Sequence, residues 1–137
     1  MVFIWLGALL PPKYDQTMKD CEDYPGNTCI LLQDFHYKYY MEKYKDFLEL
    51  TEQRVDEMVM VEKSDVLRLL YLYDKGGIYS DVDNKIDYAC LEKFIENANE
   101  TQFFSQEQKE DNLPSNNFIY APTPKDPKIE FVIKKIH

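Results

Sequence analysis

Between Lys63 and Asp83 the chain runs through strong helix formers into two glycines, then into a short β-branched and aromatic run closed by two aspartates. Ser64 is placed to cap a helix over Asp65–Lys75, because a serine oxygen at that position accepts from an otherwise orphaned first-turn amide. Gly76-Gly77 ends the helix, since the residue just past a helix C-terminus commonly adopts left-handed backbone, which costs glycine nothing in sterics. Ile78 to Val82 then reads as a strand that delivers Asp81 and Asp83 at its carboxyl end. Open α/β sheets hold ligands in the crevice outside the carboxyl ends of their strands. The segment therefore restricts the fold to one with such a crevice, and marks the two aspartates as ligand-bearing.

The rest of the chain continues the alternation. Val2 to Leu6 is a short apolar run closed by Gly7 and Pro11-Pro12, the signature of a buried parallel strand. A helix over Lys13–Asp23, turn chemistry at Tyr24-Pro25-Gly26-Asn27 and a strand over Cys29–Leu32 come after it. The next predicted helix spans Asp34 to about Leu50, with Phe35, Tyr39 and Phe47 along one face. A helix over Ala89–Glu96, a strand over Gln102–Gln106, a polar loop over Glu107–Ser115, a strand over Phe118–Ala121 and a helix from Pro127 complete the pattern. Strands alternating with helices, without hairpin signals, predict an α/β fold: a mostly parallel sheet flanked by helices, wound as in nucleotide-binding proteins. At 137 residues, one domain covering the whole chain is expected.

The formal charge of −9 argues against nucleic acid and anionic membranes as partners, which would be repelled, and suits recruitment of divalent cations. The apolar stretch Met1–Leu10 lacks a basic leader region and is too short to span a bilayer. Cys21, Cys29 and Cys90 form an odd set without zinc-like spacing, which argues against a disulfide framework and makes a reduced, cytoplasmic setting the default expectation. Asn99-Glu100-Thr101 has the acceptor pattern for N-linked glycosylation, which without a secretory leader reads as a chance match.

Carboxylate oxygens are hard ligands suited to Mn²⁺ or Mg²⁺, which take one or two protein carboxylates and fill the shell with phosphate oxygens and water. Asp65 and Arg68, spaced i, i+3, share a helix face and bracket ligand hydroxyls as acceptor and donor. Each feature alone has a plainer explanation: acidic pairs end many surface strands, and an Asp–Arg pair is more often a surface ion pair. An aspartyl phosphatase asks for a threonine where Lys85 stands, and a calcium loop asks for a glycine that is absent. His36 sits among aromatics and reads as structural.

Taken in order, Ser-Asp-x-x-Arg followed by Leu-Tyr-x-x-Gly-Gly-Ile-Tyr-x-Asp-x-Asp (residues 64–83) resembles the glycosyltransferase family whose sugar-binding region contains the DXD motif. That family includes fungal mannosyltransferases and the large clostridial glucosylating toxins. Phe3-Ile4-Trp5-Leu6-Gly7 looks like its first strand, and Asn116-Asn117-Phe118-Ile119-Tyr120-Ala121-Pro122 like its later Asn-containing strand. The resemblance implies a GT-A-type fold, a nucleoside-diphosphate sugar as donor and transfer of a hexose to an acceptor hydroxyl with retention. It implies Trp5 for stacking on the base, Asp65 and Arg68 for donor sugar hydroxyls, Tyr79 and Asp81 for ribose and sugar, Asp83 with Asp81 for the metal, and Asn117 near the sugar or acceptor. Relatives supply a further metal or diphosphate contact from a C-terminal segment, whereas this sequence ends at His137. The alternative is therefore a degenerate donor-binding module, or one subunit of a larger glycosyltransferase.

Overall fold

The computed structural model describes residues 1–103 and 118–135. Five strands form one sheet: β1 (Val2–Ile4), β2 (Ile30–Leu32), β3 (Gly77–Ser80), β4 (Gln102–Phe103) and β5 (Phe118–Ala121), in the order β2-β1-β3-β5-β4. β1 pairs in parallel with β2, Val2 opposite Ile30 and Ile4 opposite Leu32, and in parallel with β3. β5 pairs antiparallel with β3 and β4, Gly77 opposite Ala121 and Ser80 opposite Phe118. Four strands thus point the same way and β5 runs against them, so the sheet is mostly parallel, as expected, with one reversed strand that no hairpin signal announced.

The helices are α1 (Asp15–Asp23), α2 (Asp34–Lys43), α3 (Lys45–Leu48), α4 (Glu52–Glu57), α5 (Met60–Lys75), α6 (Tyr88–Asn97) and α7 (Pro127–Lys134), with a 3-10 turn at Pro12–Tyr14 before α1. The chain moves from β1 outward to β2, then back across β1 to β3. That reversal is a topological switch point, which opens a crevice at the shared carboxyl ends of β1 and β3. β1 alternates with the period of two that a strand imposes. Val2 and Ile4 pack into the core made by α5 and α7, and Phe3 into a smaller one with Cys21 of α1 and Val82. α5 is buried at Val66, Leu67, Leu69, Leu70 and Leu72, so it lies inside the fold rather than on it.

Several boundaries differ from the sequence reading. Ser64 is not a helix cap: α5 begins upstream of it, with Val59 at its N-cap and the Lys63 amide donating to the Val59 carbonyl at 3.0 Å. Met, Glu and Lys upstream of Ser64 are helix formers, and Met58 is buried, so the helical run extends back to the buried anchor. The predicted helix over Asp34–Leu50 breaks at Tyr44, whose backbone leaves the helical region, and α4 comes later, capped by the Thr51 hydroxyl accepting from the Arg54 amide.

The buried aromatic face is also another one. Phe35 and Tyr39 are exposed, while Tyr40 and Tyr44 are buried and donate to the Asp74 carboxylate at 3.0 and 2.8 Å. Aromatics on every side of this stretch leave periodicity with no preferred face, and the acid on α5 decides which side turns inward. Of the predicted strand over Gln102–Gln106, Gln102–Phe103 is observed and the remainder lies outside the described residues, as do the 107–115 loop and His137.

The expectation that the cysteines form no disulfide is overturned. Cys21 and Cys29 form a disulfide across the turn from α1 to β2, leaving Cys90 free and exposed. An odd count excludes full pairing but not one pair, and the 24–27 turn brings these two to a Cα separation of 6.2 Å. The expectation of a reduced, cytoplasmic setting rested on that count together with the leader reading, and the disulfide removes the first of these supports. No described helix is long and apolar enough to cross a membrane.

Candidate functional site

The site is built where β1 and β3 end. Beyond β3, Asp81 to Asn84 form a turn in which the Asn84 amide donates to the Asp81 carbonyl at 3.2 Å. The Asn84 side-chain amide holds the fully buried Ser80 hydroxyl at 3.1 Å, and that hydroxyl donates to the Asp81 carbonyl. The two aspartates therefore stand on a fixed turn just past the strand rather than within it. Asp81 is half-buried and Asp83 exposed.

A cleft of about 330 Å³ opens here, walled by Trp5 and Leu6 beyond β1, Met60, Ser64 and Arg68 of α5, and Tyr79, Asp81 and Asp83 around the end of β3. Gly7 lets β1 leave toward the cleft wall: its φ is +86°, and a Cβ there would sit 2.7 Å from the Met60 methyl. Its amide is held by both oxygens of Asp34, at 3.0 and 3.2 Å, which ties the exit of β1 to the first turn of α2. An acid in a helix's first turn is also favoured by the macrodipole.

Arg68 is the centre of the charge arrangement. Its side chain is only 8% exposed, and a guanidinium that deep is tolerated only when its charge and donors are matched. One terminal nitrogen lies 3.3 Å from Asp65 Oδ1 and 3.7 Å from Asp81 Oδ1, the Nε donates to the Ser64 carbonyl, and the carbon of the fork lies 4.4 Å from the centre of the Tyr79 ring. The Tyr79 hydroxyl donates to Asp81 Oδ1 at 2.5 Å. Burial pushes the Tyr79 phenol well above its ordinary pKa; Arg68 opposes this, and the charges of Asp81 and Asp65 add to it, so Tyr79 stays a donor.

The structure thus brings together Trp5, Arg68, Tyr79, Asp81 and Asp83 in one cleft, with Asp65 joined to it through Arg68. Asn117 lies outside the described residues. Tyr14 escapes the sequence reading: the 3-10 turn after Pro11-Pro12 sets its ring 5.4 Å from Trp5, on the same cleft wall. The signal is a proline pair just before a tyrosine, since proline at the start of a helical turn fixes the direction of the next residues. His36 is structural as expected: its Nδ1 accepts from the Gln33 amide at 2.9 Å in a capping box, and burial lowers its pKa.

The donor set fits a hard divalent cation in chemistry and number. Among the described residues no group of three or more His, Cys, Asp or Glu side chains converges as a protein-only metal cage would. Two aspartates on one turn, one of them exposed, make instead the kind of partial shell that Mg²⁺ or Mn²⁺ completes with phosphate and water.

The buried, matched guanidinium and the two carboxylates on the turn after β3 thus lie at the switch-point crevice, where open α/β sheets hold their ligands. Residues 12–104 match the glycosyltransferase sugar-binding region containing the DXD motif, and the chain belongs to that family. The match takes in Asp65, Arg68, Tyr79, Asp81 and Asp83, starts after Trp5 and ends before Asn117. Among curated proteins and among solved structures, none matches the chain significantly.

Proposed function

We propose that the cleft binds a nucleoside-diphosphate sugar, with UDP or GDP as the nucleotide, and that the chain transfers the hexose to an acceptor hydroxyl with retention of anomeric configuration in a GT-A-type fold. The observation that carries this reading is the buried Arg68, matched by Asp65 and Asp81 and stacked on Tyr79, at the end of a cleft whose other wall is aromatic. Hydroxyls of a sugar form hydrogen bonds with such an acid–guanidinium pair as both donors and acceptors, which fixes the ring in one orientation. Trp5 and Tyr14 offer ring faces for the base. Tyr79 holds Asp81 so that its second carboxylate oxygen is left for the ligand.

Asp83, with Asp81, would hold a Mn²⁺ or Mg²⁺ ion. When bound, it supplies positive charge against the diphosphate that leaves. In the transfer, the bond from the anomeric carbon to the phosphate oxygen breaks and the bond to the acceptor oxygen forms on the same face. The acceptor proton passes to the departing diphosphate, so no protein base is required. Asp65 and Arg68 hold the sugar through this exchange, and Trp5 keeps the nucleotide from following it.

The test is calorimetric titration of UDP-glucose, UDP-galactose, UDP-N-acetylglucosamine and GDP-mannose, with and without Mn²⁺, into the wild type and Asp83→Ala. Manganese-dependent binding of one donor, lost in the variant, is expected. Absence of binding by every donor sinks the transferase reading.

A further inference from the structure

Two features meet on the loop between α6 and β4, and a third, elsewhere in the fold, bears on them. Asn99-Glu100-Thr101 is the sequence's single Asn-x-Ser/Thr acceptor pattern, and Asn99 is exposed on that loop. A hollow of about 350 Å³ opens beside it, lined by Phe94, Asn97, Ala98 and Gln102 together with Asn99 and Glu100. The Cys21–Cys29 disulfide, with Cys21 fully buried, is of the kind that oxidising compartments sustain and reducing cytosol disfavours. An oxidising compartment is also the class in which asparagine-linked glycans are added.

We propose that Asn99 is an N-glycosylation site and that the first sugar of its glycan seats in this hollow against the Phe94 ring. The Asn99 Nδ2–anomeric carbon bond forms, the bond from that carbon to the pyrophosphate of a lipid-linked oligosaccharide breaks, the lipid pyrophosphate leaves, and the amide nitrogen gives up one proton. In the folded chain the Thr101 hydroxyl is buried and donates to Asp126 Oδ2 at 2.7 Å, and Asp126 caps α7. The hydroxyl that the acceptor pattern requires is thus committed once the fold closes, so modification precedes folding. Afterwards the glycan stands on solvent beside β4, the last strand of the sheet among the described residues. This site is separate from the cleft, which lies at the ends of β1 and β3.

The experiment is translation of the full chain, carried by a cleavable leader, into sealed microsomes. One shift to slower electrophoretic mobility is expected, reversed by peptide N-glycosidase, absent in Asn99→Gln and Thr101→Ala and kept in Thr101→Ser. Asn99→Gln leaves the Thr101–Asp126 bond intact, so its loss of the shift does not reflect a broken fold. A wild-type chain that is protected from external protease yet unmodified overturns the proposal, as does a shift that survives Asn99→Gln. Glycosidase should release the glycan from native Phe94→Ala several-fold faster than from native wild type; equal rates overturn the seat on Phe94.

Discussion

Asp74 near the end of α5 is the most consequential charge outside the cleft, and replacing it by asparagine tests how the helices are held. Its side chain is 7% exposed and accepts from Lys43 at 2.8 Å, from the Tyr44 hydroxyl at 2.8 Å and from the Tyr40 hydroxyl at 3.0 Å. Lys125, in the turn before α7, adds an ammonium 3.7 Å away and donates to the Tyr44 hydroxyl. Burial alone would raise the Asp74 pKa, but the bonds from Lys43, Tyr44 and Tyr40 outweigh it and hold the carboxyl well below the usual range. The same cluster pushes Tyr44 up to about 12, burial first and Asp74 second. Asn keeps the shape but removes the charge and turns one acceptor into a donor facing an ammonium. Breaking a buried pair in this way costs about 3 kcal/mol, which in a chain of this size lowers the unfolding midpoint by roughly 10 °C. A depressed carboxyl stabilises the fold fully above its unfolded pKa of about 3.9 and loses that contribution as pH falls toward its folded value. Thermal unfolding followed by near-UV circular dichroism should therefore show a constant gap between wild type and Asp74→Asn from pH 7 down to about 4, narrowing below it. A gap under about 2 °C at neutral pH, or one unchanged at pH 3, refutes the reasoning.

Gly76 has φ +70°, and a Cβ there would meet the Ala121 carbonyl at 3.1 Å and Thr123 backbone at 3.2 Å, so Gly76→Ala should cost about 2 kcal/mol in urea unfolding, more than Gly77→Ala, where nothing lies within 4 Å. Closing the eight-residue separation between Cys21 and Cys29 is worth about 2.5 kcal/mol. Cys29→Ser should accordingly lower the thermal midpoint, and dithiothreitol should lower the wild type by a similar amount while leaving the variant unmoved. Tyr79→Phe removes the donor to Asp81 and should cost about 1 kcal/mol of stability, together with a several-fold loss of donor affinity by calorimetry. Because burial keeps the Tyr79 phenol protonated, the wild-type advantage should be the same at pH 6 and pH 9.

Local physics makes part of the fold legible in the sequence. The order of helix, double glycine, strand and paired aspartates is spelled out by neighbours in the chain, so Arg68, Tyr79, Asp81 and Asp83 fall around one strand end as the spacing requires. Features that depend on distant partners stay hidden. Nothing near Tyr40 or Tyr44 says that Asp74 waits 30 residues or more downstream, so periodicity picks the wrong inner face for the aromatic helix. β5 runs against both of its neighbours, β3 and β4, a direction that Phe118–Ala121 itself does not spell out. Tyr14 is aimed by the prolines before it, but it enters the site because that turn lies beside Trp5 at the end of β1. The disulfide escapes a count of cysteines because oddness describes all three together, whereas the 24–27 turn singles out two.

The Asp74 cluster has a mechanical side. α5 is one rigid rod whose C-terminal end is clamped at Asp74 to α2 and to the turn before α7, while Ser64 and Arg68 on the same rod form a wall of the cleft. At 1.5 Å per residue, Ser64 stands about 15 Å from that fulcrum. A tilt of about 5° at the clamp carries Ser64 by roughly 1.3 Å, nearly half the width of a hydrogen bond. The tyrosine–lysine clasp is in this sense the gauge of the cleft, setting at a distance how far apart its walls stand.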